Sequence, residues 1–153
     1  PPDIINALCR RYMELENVTL WSGLLMYGFD FLKREYKGHI NYVTTFYGPV
    51  ERLFAGEGNT ENFSFHFSNA DKATLGLAPF NAMLCEVSPP DDKGFMSFEP
   101  TGTYHNSIMC ENAEKVIVQV NEQTPYIYGF ENVIHVSEFD YIVESSHPLP
   151  RPG

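Results

Sequence analysis

The apolar positions Ile4, Ile5, Leu8, Tyr12 and Leu15 fall three and four residues apart, the spacing that lines one face of a helix. Asp3 stands where a carboxylate can cap the first turn, so the pattern predicts a helix ending near Asn17. The period then shortens. VTLWSGLL (18–25) and HINYVTTF (39–46) read as strands, with YGFDFLKREYKG (27–38) between them as a short helix or an irregular crossing. Pro49 suits the first turn of a helix through VERLFAGEG (50–58), whose glycines suit a stop. In NFSFHFS (62–68) three phenylalanines alternate with polar residues, the pattern of a half-buried strand, and NADKATLGLA (69–78) reads as a weak helix or loop.

FNAMLCEV (80–87) is nearly all apolar and predicts a strand covered on both faces. It ends abruptly at SPPDDKG, because Pro89 and Pro90 remove two backbone donors and fix two φ angles. FMSFE (95–99) then predicts a short strand, TYHNSIMCENA (103–113) a helix and KVIVQVN (115–121) a second central strand. TPYIYG (124–129) turns, VIHVSEFDYIVE (133–144) holds a strand, a polar turn and another strand, and SSHPLPRPG (145–153) is an extended exit. Strands alternating with helices imply an α/β class, a mainly parallel sheet with helices on both faces. The expected division is one domain over 1–144 and the start of an inter-domain linker over 145–153.

Composition narrows the function classes. The 153 residues suffice for one domain with a real core, and 43% hydrophobic with 20% charged residues is ordinary for a globular protein. No apolar run approaches the roughly 20 residues of a membrane helix, so no membrane association is expected. The net charge of -10, without a basic block, argues against nucleic acid. Cys9, Cys85 and Cys110 are odd in number, far apart and set among apolar residues, which reads as buried reduced thiols in a cytoplasmic protein. No signal peptide opens the chain, and PPDIINALCRR without an initiator Met is expected to have had sequence before it.

No residue set carries a complete chemistry. His39, His66, His105, His135 and His147 have no second ligand at metal-binding spacing, so no metal site is expected. Cys85 and Cys110 read as core, and no glycine motif for nucleotide phosphates follows a strand. Glu86, Glu99, Glu138 and Glu144 stand at strand ends without a marked partner, and Tyr126, Tyr128 and Tyr141 read as core or rim before pocket. The corner stands out. Ser88, Pro89, Pro90, Asp91 and Gly94 either close a turn, with Asp91 bonding its own backbone and Gly94 at positive φ, or form the rigid wall of a substrate site.

EVSPPDDKGF (86–95), AEKVIVQVNEQTP (113–125) and IHVSEFDYIVESSHPLP (134–150) together resemble, in order and spacing, the N-terminal half of the acetyl-CoA hydrolase/transferase family. ALCRRYMELENVTL (7–20) and FYGPVERLFAGEG (46–58) resemble it more loosely. Within that family the segments resemble those of a 4-hydroxybutyrate or butyryl-CoA:acetate CoA-transferase. The resemblance implies the N-terminal-domain fold of a CoA-transferase. It implies transfer of CoA from an acyl-CoA (4-hydroxybutyryl, butyryl or acetyl) to a carboxylate such as acetate, with acetyl-CoA hydrolysis or a non-catalytic carboxylate- or acyl-binding subunit as alternatives. Coenzyme A would be a substrate and no cofactor covalently bound. The family's nucleophilic glutamate belongs to the C-terminal half, so the resemblance places no catalytic residue here; that half and further copies of the full-length chain are the implied partners. FEPTGTYHNS (98–107) departs from the family, which has small residues and an Asp there.

Overall fold

The computed structural model describes residues 1–77, 79–100 and 105–150. It divides into two compact units, Pro2–His66 and Pro1 together with Phe67–Gly153. In the first, α1 (Pro2–Arg10) begins one residue before Asp3, so this carboxylate lies inside the first turn. The regular helix stops at Arg10; Tyr12–Glu14 is a 3-10 turn and Asn17 takes φ 53°. The apolar face continues past that change, since Ile5, Leu8, Tyr12 and Leu15 all pack on a buried cluster of Cys9, Phe29, Phe31, Leu32, Tyr36, Ile40 and Tyr42. Burial of that face holds a segment whose own hydrogen bonding is no longer α-helical.

β1 (Val18–Ser22), β2 (Ile40–Thr44) and β3 (Thr60–Asn62) form a parallel sheet in that order. The crossing before β2 is irregular, two 3-10 turns at Asp30–Leu32 and Arg34–Tyr36. α2 (Pro49–Leu53) has Pro49 in its first turn, and the following 3-10 turn ends at Gly58 with φ 71°. The strand expected over 62–68 is a correction: β3 ends at Asn62, and a 3-10 turn covers Phe67–Asn69. β2 ends at Thr44, whose carbonyl accepts the N–H of Phe63, so the ladder has no further partner. Phe63 packs its ring on Trp21 and Phe65, while Phe67 is exposed. Alternation reflected aromatic contacts, not a longer ladder.

In the second unit α3 (Ala70–Leu75) is a short helix, and β4 (Met83–Val87), β6 (Val116–Val120) and β8 (Tyr141–Glu144) pair in parallel with β6 in the middle. β5 (Phe95–Ser97) and β7 (Val133–His135) form a separate antiparallel pair. α4 (Asn106–Glu111) falls inside the predicted helix 103–113, of which Thr103 and Tyr104 lie outside the described residues. Cys85, Val87, Val116, Val118 and Val120 build the core with Met96, Phe98 and Cys110. The class is α/β with parallel sheets, as the alternation of elements predicts.

Candidate functional site

Three parallel strands place three chain ends on one edge, the carboxyl edge: the corner after Val87, the turn after Val120 and the segment after Glu144. The corner is a built turn. Asp91 Oδ1 accepts the N–H groups of Lys93 and Phe95, each at 2.9 Å, and the Asp91 carbonyl accepts that of Gly94. Gly94 has φ 84°, and a Cβ there would stand 2.8 Å from His135 Nε2. The Phe95 N–H, foremost, with Lys93 and the Tyr126 hydroxyl, holds the Asp91 carboxyl below its ordinary range. Ser88 is buried; its Oγ accepts the Ser97 N–H at 2.9 Å and donates to the Pro89 carbonyl at 3.0 Å. Pro90 and Asp91 are exposed. The five predicted positions therefore sit together, with Ser88 under the corner and Pro90 and Asp91 at its surface.

Beside the corner lies a cluster that periodicity does not reveal. Glu86 is 2% exposed at the penultimate position of β4. Its Oε1 accepts the Asn121 amide and the Thr124 hydroxyl, each at 2.9 Å, and its Oε2 lies 2.6 Å from His147 Nε2. Asn121 in turn donates to the His147 carbonyl at 3.0 Å and accepts the Gln123 N–H at 2.9 Å. Gln119 donates to the Ser145 carbonyl, and Ser146 Oγ accepts the Glu122 N–H. One carboxylate thus joins β4, the turn after β6 and the segment after β8. The signal in the sequence was a charged residue inside an apolar run expected to be covered: a buried carboxylate requires donors.

Other candidates are accounted for differently. Cys85 and Cys110 meet in the core, and their contact together with burial pushes the Cys85 thiol up, away from a nucleophile's range. In the first unit a hollow of about 510 Å³ is lined by Lys33, Arg34, Glu35, Phe54 and Glu57. Its cations are engaged, Lys33 with Asp30 and Arg34 with the Gly56 and Glu57 carbonyls. No helix among the described residues is long and apolar enough to cross a membrane.

Comparison with known proteins gives this edge a context. The chain is 30% identical over 151 residues to a butyryl-CoA:acetate CoA-transferase of Anaerostipes caccae, covering 97% of this chain and 34% of that protein. It is 32% identical over 153 residues to a 4-hydroxybutyrate coenzyme A transferase of Clostridium kluyveri, again 97% and 34%. The crystal structure of RipA from Yersinia pestis superposes with a TM-score of 0.87 at 26% identity, covering 97% of this chain and 37% of that one. The chain therefore spans about a third of the length of the curated relatives it matches. Residues 29–150 match the acetyl-CoA hydrolase/transferase N-terminal domain, and the chain belongs to that family.

Proposed function

We propose that this chain is the N-terminal domain of a cytoplasmic CoA-transferase that moves CoA from a short acyl-CoA, such as butyryl, 4-hydroxybutyryl or acetyl-CoA, to a carboxylate such as acetate. The observation that carries the reading is similarity at 30% and 32% identity to two CoA-transferases along nearly the whole chain. In this reading the nucleophilic glutamate comes from the C-terminal part of the enzyme, and the segment from Ser145 leads toward it. The enzyme assembles as a homo-oligomer. Splitting thioester exchange into two covalent steps needs a carboxylate nucleophile open to the thioester. Glu86 does not suit that role, since both its oxygens are engaged.

The corner of Ser88, Pro89, Pro90, Asp91 and Gly94 walls the acyl site. Its place at the carboxyl edge of a parallel sheet, where ligands bind in open α/β folds, supports this. Rigid proline backbone shapes a pocket with little ordering cost on binding. The decisive assay follows thiol release and acyl-CoA exchange by the full-length enzyme with and without acetate. Acetate-dependent exchange is the expected result. Release to water alone would make the enzyme a hydrolase, and neither activity with any short acyl-CoA would sink the reading.

A further inference from the structure

The pair Glu86–His147 serves none of the chemistry above, and its hydrogen bonding prescribes its protons. His147 Nε2 lies 2.6 Å from Glu86 Oε2, and His147 Nδ1 lies 3.0 Å from the Pro148 carbonyl. Both nitrogens therefore face acceptors, whereas a neutral imidazole carries a single N–H. The other carboxylate oxygen is already taken by two donors, Asn121 and Thr124. These four contacts are satisfied together only with one proton on Nδ1 and one between Nε2 and Oε2. Such a charge-assisted bond is the strong kind, and it leaves the buried carboxylate compensated.

We propose that Glu86 and His147 are positioning residues that form a protonated latch, which seats the strap 145–148 and the turn 121–124 on the carboxyl edge of the sheet and loosens when it loses a proton. The strap is also tied by Ser145 N–H to the Val120 carbonyl, Gln119 to the Ser145 carbonyl, Glu122 N–H to Ser146 Oγ, and Asn121 to both backbone groups of His147. Through Thr124 the latch also holds the loop whose Pro125 carbonyl and Ile127 N–H bond Ser97 Oγ and whose Tyr126 hydroxyl reaches Asp91. Titratable groups on the adjoining elements include Glu86 itself, Asp91, Asp92 and Lys93 in the corner after β4, Glu99 beyond β5, Glu122 and Tyr126 after β6, and Glu144 at the end of β8. The latch holds only while both protons are present, so release comes as pH rises. The latch does not depend on which thioester the protein handles.

The test uses the protein at its natural length, 15N-labelled at histidine. At about pH 7, where an ordinary imidazole is largely neutral, both His147 nitrogens should resonate as N–H, with a far-downfield Nε2 proton that is absent in H147Q. Amide exchange at Ser145, His147 and Glu122 should rise about tenfold beyond the intrinsic base-catalysed increase as His147 deprotonates, the change expected from losing one charge-assisted hydrogen bond. In E86Q these amides should exchange fast at every pH. A neutral His147 at that pH, or an E86Q exchange profile equal to the wild type, overturns the latch; if E86Q does not fold, the wild-type nitrogen shifts decide alone.

Discussion

Two buried glutamates, Glu51 and Glu86, show how a single side chain can organise its surroundings in this chain. Glu51 is fully buried and takes only neutral donors: the N–H groups of Leu25 and Gly48 and the Tyr42 hydroxyl, with Thr44 Oγ1 at 3.2 Å. Its bond from Gly48 is the back-reaching half of a capping box at α2. Burial, with the Glu51 charge adding to it, raises the Tyr42 hydroxyl above the ordinary tyrosine range. In Glu51→Gln the new amide meets a fixed N–H at Gly48 or Leu25, so a loss of about 1–3 kcal/mol is expected in denaturant unfolding. An unchanged midpoint would show that the cap contributes nothing. Asp91 is exposed and its carboxyl is depressed by the Phe95 and Lys93 amides. Its contribution is thus present above the unfolded carboxylate value, near pH 4, and fades as pH falls through the lower folded value. Melting temperature against pH should lose that acid limb in Asp91→Asn and keep it in the wild type.

At the scale of elements, the corner after β4 is a turn whose parts answer to distinct requirements. Gly94 supplies the left-handed φ and clears the His135 ring, so Gly94→Ala should cost about 1–2 kcal/mol from the backbone alone. A thermal shift within error would remove that requirement. Ser88→Ala and Asp91→Asn in the full-length enzyme separate the two roles proposed for the corner. Ser88→Ala strands the Ser97 N–H, so its melting temperature falls; a wall position predicts altered kcat/KM ratios among acetate and longer acids as well. Asp91→Asn keeps an acceptor for the Lys93 and Phe95 amides and should leave those ratios unchanged. A Ser88→Ala enzyme with wild-type ratios would reduce Ser88 to the turn.

For the whole molecule, β8 is the informative surface. Tyr141, Ile142 and Val143 are exposed on both faces of an edge strand, 60%, 43% and 39% respectively. Apolar exposure of that kind on an edge strand marks an interface or an aggregation hazard. In the full-length reading the remainder of the enzyme covers it. The 153-residue chain alone should therefore self-associate and bind an apolar dye, and Ile142→Lys should suppress both while Val118, at the core, remains buried. A strictly monomeric, dye-silent chain would place that surface in solvent by design. The same chain alone should show no CoA transfer, as the proposed nucleophile lies elsewhere; turnover lost on changing one of its own glutamates would contradict that placement.

The strands β1, β2, β4, β6 and β8, the proline corner and its Asp91 and Gly94 geometry were legible in the sequence, because each depends on local periodicity or on a residue's own backbone limits. The family was legible too, because EVSPPDDKGF and its two companion segments keep their order and spacing. The early end of α1, the loss of a strand at Phe63–Phe67 and the pairing of Glu86 with His147 were decided by tertiary structure. A helix face can stay buried after its hydrogen bonds change, and a strand lasts only as long as its neighbour. A carboxylate and an imidazole 61 residues apart meet only because parallel pairing brings the carboxyl ends of β4, β6 and β8 to one edge.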